Sequence, residues 1–393
     1  MKNFIIRAGL VWDGIDHGPV PDNAIAVNEG RIAAVGKLDV VKRIPHEHVF
    51  NFPGCTLMPG LIDSHTHLSM DGGLENYLDH MTDPVAELTL RATVMMKRDL
   101  DAGVTTCRCC GDREFLDIAC RKAVNEGMID GPHMLVATRG IRALSGHGFV
   151  GYPFDGVEAI RKAIVENAEA GADFIKIYIS GTLRGDGDLP GFLSQEEIRT
   201  AISEAHRAGL TITAHCVGGV GLDHALEYGI DCLEHVYHIS ERQINDLKKS
   251  STRVVLTPGP MLSSERINKL PERLIPGHFD EREIIRSRMA AVIASGKPFA
   301  VGTDGLHGEL AQEIFYLADM GATPLQALQA ATIQGAILSG IDKKTGSLEP
   351  GKEADLLVVD GNPFEDLAAL KRVRGVWKSG RKHIEKRREQ DEI

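Results

Sequence analysis

Two histidines separated by one residue, His65 and His67, lie in the apolar segment LIDSHTHL at 61–68. Side chains alternate along a β-strand, so both rings would lie on the same face of a strand. Two imidazoles placed in this way can bind a single metal ion. The pair is weak evidence by itself, because histidines also recur at this spacing by chance.

Three further potential ligands make a metal site the better interpretation. His215 lies in TITAHC, His235 in CLEHVYHI and Asp304 in FAVGTD, each at or near the end of a predicted strand. In a (β/α)8 barrel such strand ends meet on one face. Imidazole and carboxylate groups are suitable ligands for a divalent ion such as zinc. We therefore expect these side chains to form one metal centre.

Lys176 lies in the apolar strand segment FIKIY. Burial lowers the pKa of a lysine and exposes a neutral amine, which can react with carbon dioxide to form a carbamate. A carbamate is an anionic ligand that can bridge two metal ions. The alternative is a buried ion pair between Lys176 and an aspartate or glutamate. The neighbouring histidines favour the carbamate.

The elements that would position these residues alternate between strands and helices. The predicted strands are 61–68, 103–110, 133–139, 173–180, 210–217, 232–239, 253–258 and 298–304. The predicted helices include 84–101, 155–170, 194–208 and 281–295. Ser194 and Glu197 form a potential capping box at the start of one of them. Eight such units predict an α/β fold, a parallel (β/α)8 TIM barrel.

Both chain ends contain short strand-like runs that are too small to bury a core alone. We expect residues 1–58 and 345–393 to form one small β-sandwich domain, and residues 59–344 to form the barrel. The charged segment 384–393 is expected to be a loose tail. Long loops follow the first, third, fourth and seventh predicted strands, where loops border the active site of a barrel.

Composition excludes several classes of protein. The 393 residues have a formal net charge of −11, which argues against a nucleic-acid partner. No run of 18 apolar residues or signal-like N-terminus is present, so we expect no membrane association. Seven cysteines form no disulfide framework, and the run at 107–110 is spaced too tightly for zinc. We therefore expect a cytoplasmic protein, and also a homo-oligomer.

Several longer motifs resemble one known family. They are MPGLIDSHTHL at 58–68, FIKIYISG at 174–181, GTDG at 302–305 and the segment from ATIQGAILSGI to GSLEPGKEADLLVVDGNP at 331–363. The chain resembles the amidohydrolase superfamily of the binuclear, carbamylated-lysine type. It is most similar to the group of Xaa-Pro dipeptidases and related metal-dependent dipeptidases and carboxypeptidases.

The resemblance implies two divalent metal ions, with zinc as the expected metal. His65, His67 and Asp304 would bind the more buried ion. His215 and His235 would bind the more exposed ion, and carbamylated Lys176 would bridge the two.

The resemblance also implies hydrolysis of an amide bond. Two cations that share one water lower its pKa and supply hydroxide. Asp304 would accept a proton and pass it to the leaving nitrogen. His147, in the sequence SGHG after the third strand, would donate a hydrogen bond to the developing oxyanion. The alternative for His147 is a histidine on a surface loop.

The substrate is expected to be a small-molecule amide, such as a dipeptide or an N-acyl amino acid. The segment CVGG at 216–219 lacks the tyrosine usual in the dipeptidase group, and the loop after Asp304 is short. Carbamate, urea-like and lactam substrates therefore stay open. A mononuclear deaminase is disfavoured, because no glutamate follows His215 closely. A non-enzymatic relative is disfavoured because all the ligand positions are present.

Overall fold

The computed structural model describes residues 2–15, 18–183 and 189–385. Its strands are β1 (Asn3–Val11), β2 (Val20–Pro21), β3 (Asn23–Asn28), β4 (Arg31–Lys37), β5 (His48–Pro59), β6 (Leu61–Thr66), β7 (Val104–Cys109), β8 (His133–Val136), β9 (Ile141–Arg142), β10 (Tyr152–Pro153), β11 (Phe174–Tyr178), β12 (Thr211–Cys216), β13 (Cys232–His235), β14 (Arg253–Leu256), β15 (Ala300–Val301), β16 (Leu356–Asp360), β17 (Val373–Lys378) and β18 (Arg381–Glu385).

The α-helices are α1 (Leu38–Val41), α2 (Val85–Asp101), α3 (Leu116–Asn125), α4 (Val157–Ala170), α5 (Gln195–Arg207), α6 (Gly219–Glu227), α7 (Glu241–Lys249), α8 (Gly259–Leu262), α9 (Ser264–Ile267), α10 (Ile275–Ala294), α11 (Leu310–Asp319), α12 (Pro324–Ala330) and α13 (Ile333–Leu338). Two 3₁₀-helices span Asp79–Thr82 and Leu367–Lys371. Among the described helices, none is both long and apolar enough to cross a membrane.

Two parallel sheets form the central part of the molecule. One has the order β6-β7-β8, and the other has the order β10-β9-β11-β12-β13-β14-β15. Two backbone hydrogen bonds of 2.8 Å link them, from Asp173 N–H to the carbonyl of Val136 and from Asp304 N–H to the carbonyl of His65. The predicted TIM-barrel-like α/β fold with parallel strands is therefore confirmed. Closure into a continuous eight-stranded ring stays a prediction.

Each of the eight predicted barrel strands contains an observed strand, but the observed strands are shorter. Strand β13 ends at His235, whose φ is 77°, and Asp304, three residues beyond the end of β15, has φ of 51°. Such a backbone conformation cannot continue a strand. The short strands β9 and β10 were not predicted, because two residues each are too few to show an alternating pattern.

The observed helices agree well with the predicted ones, except that α10 begins earlier than predicted. Ser194 caps α5 through the predicted capping box, with Glu197 as the reciprocal acceptor. Helix α10 begins at Ile275 instead of near residue 281. Pro276 stands in its first turn, where proline costs no helical hydrogen bond. The sequence analysis placed this proline in the long loop after the seventh predicted strand.

The strands of the two chain ends pair into one sheet, with the order β18-β17-β16-β5-β1-β3-β4 and with β2 beside β1. Its core contains a cluster of aromatic rings formed by Phe4, Phe50, Phe52 and Trp377. The domain boundaries at 58 and 345 and the sandwich arrangement stay predictions. Residues 384 and 385 of the predicted tail belong to β18, and the rest of that tail lies outside the described residues.

The end of β15 packs very closely against β6. Gly302 donates its N–H to the carbonyl of Leu256 at 3.1 Å and lies directly against His65. A Cβ added to Gly302 would overlap the backbone nitrogen of His65 and lie 2.6 Å from its Cβ. Glycine is thus required for the approach of these two strands.

We predict that Gly302→Ala lowers the free energy of unfolding by about 1–3 kcal/mol, the usual cost of overpacking. Because the added methyl group pushes on His65, the metal content should also fall. Denaturant unfolding and elemental analysis would measure the two effects. Gly191→Ala is the matched control, since an added Cβ there meets nothing within 4 Å. Equal stability of the two variants would contradict the prediction.

Candidate metal centre

The strand ends bring all the predicted ligands into one cavity of about 590 Å³. His65, Lys176, His215 and His235 lie on β6, β11, β12 and β13 respectively. His67 directly follows the end of β6, and Asp304 lies three residues beyond the end of β15. All six side chains border the cavity. The structure thus places together residues that are up to 239 positions apart, since 304 minus 65 is 239.

Asp304 stands between the two histidines of the first barrel strand. Its Oδ1 atom lies 3.3 Å from Nε2 of His65 and 3.4 Å from Nε2 of His67. The ring of His235 is centred 4.7 Å from that of His65 and 4.5 Å from that of His215. Ligand atoms of His65, His235 and Asp304 all lie within 4.8 Å of one another. These separations suit a shared cation.

Hydrogen bonds behind the rings fix two of the histidines. Nδ1–H of His67 donates to the carbonyl of Gly111 at 2.6 Å, which leaves Nε2 as the lone-pair nitrogen facing Asp304. Nδ1 of His235 lies 2.6 Å from Oγ1 of Thr257. Outer partners of this kind orient the rings of metal-binding histidines and select the tautomer.

The protonation states favour a cation. Burial lowers the pKa of both His215 and His235 well below the usual value, so both are neutral and offer lone pairs. Nε2 of His215 is buried and has no hydrogen-bond partner among the described residues. Burial alone would raise the pKa of Asp304, but its interactions with the nearby rings of His65 and His67 hold it well below the usual range. Neutral imidazoles beside a carboxylate fit a divalent metal ion.

The backbone is strained at two of these positions. Asp304 has φ of 51° and His235 has φ of 77°, in the left-handed region that residues other than glycine rarely adopt. Such conformations persist where the surrounding structure enforces them, and they cluster at functional sites. Here they turn each side chain from its strand end into the cavity.

Glu234 is a central residue of the site that the sequence analysis missed. It is fully buried on β13 and contacts the ammonium group of Lys176. It also accepts hydrogen bonds from Arg108 at 2.9 Å and from Thr213 at 2.8 Å, and lies 3.0 Å from Nδ1 of His65. The ion pair left open as an alternative for Lys176 is therefore present in the unmodified protein. The role of Glu234 could have been inferred from the sequence, because Arg108 and Glu234 are opposite charges that each lie within an apolar strand segment.

Two other buried carboxylates that the sequence analysis missed support the first ligand strand. Asp63 accepts hydrogen bonds from Oγ1 of Thr303 at 2.6 Å and from the backbone N–H of His65 at 3.1 Å. Burial raises the pKa of Asp63 to about 7. Asp112 accepts from the hydroxyl of Ser69 at 2.6 Å and from two backbone N–H groups of the same loop. Both carboxylates fix backbone beside the ligands rather than facing the cavity.

His147 lies in the cavity wall, half-buried, and not on the outer surface. Its ring is centred 4.3 Å from the ring of His215, and Nε2 lies 3.2 Å from Oγ1 of Thr182. Burial lowers the pKa of His147 to about 4, so the ring is neutral near neutral pH. A neutral ring retains one N–H that can be donated to a bound molecule.

The rest of the cavity is mainly apolar. Its wall includes Met70, Leu78, Met81 and Leu270. Its polar lining includes Tyr178, at the end of β11, and Tyr237, shortly after β13. A cavity with apolar walls and a few convergent polar groups is typical of a small-molecule site. The arrangement is suited to metal-assisted hydrolysis of a small molecule that has an apolar part.

Comparison with known proteins identifies the family. Residues 56–382 match the model of the Amidohydrolase family. Ochratoxinase from Aspergillus niger is 29% identical, with 97% of this chain and 86% of the relative covered. Imidazolonepropionase from Pyrobaculum arsenaticum is 25% identical, with 93% of each chain covered.

A solved structure shows the same similarity in three dimensions. A Xaa-Pro dipeptidase with methionine bound in its active site superposes with a TM-score of 0.86 at 26% identity, covering 97% of this chain and all of the other. The family model spans most of the sequence, including the strands that hold the six predicted ligands. The chain therefore belongs to the amidohydrolase family and is a hydrolase of carbon–nitrogen bonds.

Proposed function

We propose that the protein is a binuclear metal-dependent hydrolase that cleaves the amide bond of a dipeptide or an N-acyl amino acid. The barrel would close into a complete ring around the site. The expected metal is zinc. The proposed ligands are His65, His67, Lys176 as its carbamate, His215, His235 and Asp304. A cytoplasmic location and a homo-oligomeric state stay predictions from the sequence.

One observation carries the proposal. The rings of His65, His215 and His235 come from three separate strands and cluster beside the carboxylate of Asp304. Burial keeps His215 and His235 neutral, and Nε2 of His215 has no partner in the described part of the chain. Burying such groups without partners is costly, so the arrangement indicates a bound cation. When bound, divalent ions would polarise the scissile carbonyl and lower the pKa of a water molecule.

The protein residues would handle the proton and the developing charge. The carboxylate of Asp304 is ionised, so it can accept a proton at Oδ1 or Oδ2 and deliver it to the leaving nitrogen. The neutral ring of His147 can donate its N–H to the carbonyl oxygen of the substrate as negative charge develops there.

Carbamylation of Lys176 would replace its ion pair with Glu234. The ammonium group first loses a proton, and the neutral amine then adds to carbon dioxide and loses a second proton, so the side chain changes from a cation to an anion. Glu234 keeps a cationic partner in that state, because Arg108 lies 2.9 Å from its other oxygen, Oε1. Arg108 would thus balance the charge that Lys176 no longer balances.

A hydrolysis screen tests the proposed function. Zinc-loaded protein would be incubated with dipeptides, N-acyl amino acids, carbamates, ureas and lactams, and released amines would be measured together with metal content. The proposal expects about two metal ions per chain and release of an amino acid. One metal ion with ammonia released from an amino-substituted ring would support a deaminase. Absence of both metal and hydrolysis would support a non-enzymatic relative.

Lys176→Ala should lose metal and activity together, because the bridging ligand is removed. Added acetate or formate should restore part of both by occupying the position of the carbamate. Elemental analysis and activity assays with and without the added acid would measure this. If Lys176 acts only as an ion-pair partner of Glu234, the variant would be less stable but would keep its metal.

Asp304→Asn should lower kcat far more than it raises KM, because the carboxylate acts on a proton in transit. The comparison requires variant protein whose metal content equals that of the wild type, since Asp304 is also a proposed ligand. A fully metallated variant with nearly normal kcat would exclude Asp304 as the proton carrier.

His147→Ala should lower kcat by about 10²–10³, the usual effect of removing one oxyanion donor. The metal content should remain unchanged, because the proposed ligands lie elsewhere. Steady-state kinetics with elemental analysis on the same sample would test both points. Unchanged kcat would make His147 a simple wall residue, and lost metal would make it a ligand.

A further inference from the structure

Arg266 is a buried cation that borders the same cavity. It belongs to α9, on the loop that follows β14, and only 5% of the residue is exposed. One Nη atom donates to the backbone carbonyl of Asp304 at 3.2 Å, and the guanidinium lies 5.0 Å from the centre of the Tyr77 ring. Within the described ranges Arg266 forms no ion pair, and its buried Nε–H has no hydrogen-bond acceptor.

A charge in this position is costly without an anion. Burial penalises an unpaired cation strongly, and arginine does not escape the penalty by losing its proton. The nearby Glu313 does not compensate, because burial raises its pKa well above the usual value and keeps it neutral. The carboxylate of Asp304 faces His65 and His67 instead. This corner of the cavity therefore holds a cation that binds a backbone carbonyl and forms a hydrogen bond to no carboxylate of the described residues.

The position of Arg266 relates it to the reaction centre. Its guanidinium binds the backbone of the same residue whose carboxylate is a proposed metal ligand and proton carrier. An anion bound by Arg266 would therefore lie next to the scissile bond. In an N-acyl amino acid, the α-carboxylate is separated from the scissile nitrogen by only one carbon atom.

The neighbouring wall indicates what is attached to that carboxylate. Leu270 and Leu274 follow Arg266 along the chain and border the cavity together with Met70 and Met81. These side chains present aliphatic and thioether surface, which favours an apolar group. Arg273 also borders the cavity, but it is exposed at the outer side and is not enclosed in the same way.

We propose that Arg266 is the specificity-determining residue of the leaving-group pocket and binds the α-carboxylate of an amino acid with an apolar side chain. This assignment rests on the proposed amide hydrolysis and narrows its substrates. The guanidinium would bind the carboxylate through N–H groups that it turns toward the cavity, as arginine commonly does. Carbamates, ureas and lactams without a carboxylate would leave Arg266 unpaired.

The test uses two probes with a tetrahedral phosphorus in place of the scissile carbonyl, N-(methylphosphonyl)-L-leucine and its carboxamide. Calorimetry on zinc-loaded protein would measure the Kd of each. Wild type should bind the acid about 10- to 100-fold more tightly than the amide, as expected for a charged hydrogen bond. Arg266→Met should bind both equally, at the affinity that wild type shows for the amide.

Two further variants separate recognition from structure. Arg266→Gln keeps a polar side chain of similar shape near the backbone but lacks the charge, so it should stay folded and still lose the preference for the acid. Arg273→Met is the matched control and should keep that preference. If Arg266 only supports the loop of Asp304, its variants would weaken binding of acid and amide equally, and the proposal would be wrong.

The outcome is independent of the proposed amide hydrolysis. Preference for the acid without hydrolysis of any amide in the screen would retain the carboxylate site and reject the proposed reaction. Hydrolysis of N-acetyl-L-leucine with equal affinity for both probes would retain the reaction and reject the carboxylate site.

Discussion

The buried ion pair between Glu234 and Lys176 is the interaction on which the proposed metal centre depends. Glu234 lies on β13, directly before His235, where it contacts Lys176 and accepts a hydrogen bond from Arg108. Two cations would be very unfavourable there without this anion, since removal of one partner from a buried pair costs about 3–5 kcal/mol. The same carboxylate lies 3.0 Å from the first ligand histidine, His65. Glu234 thus balances the charges of Lys176 and Arg108 and also contacts His65, a proposed metal ligand.

Around Glu234, the strands and the loops have different roles. The strands hold rigid ligands, and the hydrogen bonds behind the rings fix their orientation. The loops supply the groups that would touch the rest of the substrate, with His147 on the third loop and Arg266 on the seventh. This division explains how relatives at 25–29% identity can share a fold while their names describe different reactions.

The sequence predicted most of the fold and the six proposed ligands that border the cavity. It did so because barrel strands have a strong alternating or apolar pattern, and because histidines at strand ends are rare without a role. It missed Glu234 since His235 beside it offered a more specific signal, and partners such as Arg108 are 126 positions away. It also missed the early start of α10, where Pro276 is compatible with both a loop and a first helical turn. No local sequence pattern separates a buried charge with a distant partner from an exposed charge, or a proline in a first helical turn from a proline in a loop.

The junction between the two sheets has a consequence for folding. Strand β5 ends at Pro59 and β6 begins at Leu61, so only Gly60 separates the sheet of the chain ends from the strand that holds His65. Gly60 N–H donates to the carbonyl of Asp355 at 2.9 Å, and the last residues of β5, from Cys55 to Pro59, pair with β16. These partners are separated by roughly three quarters of the chain, and contacts of such high sequence separation form slowly. During synthesis, the strand that holds His65 therefore gains this support only after the segment around Asp355 has emerged from the ribosome.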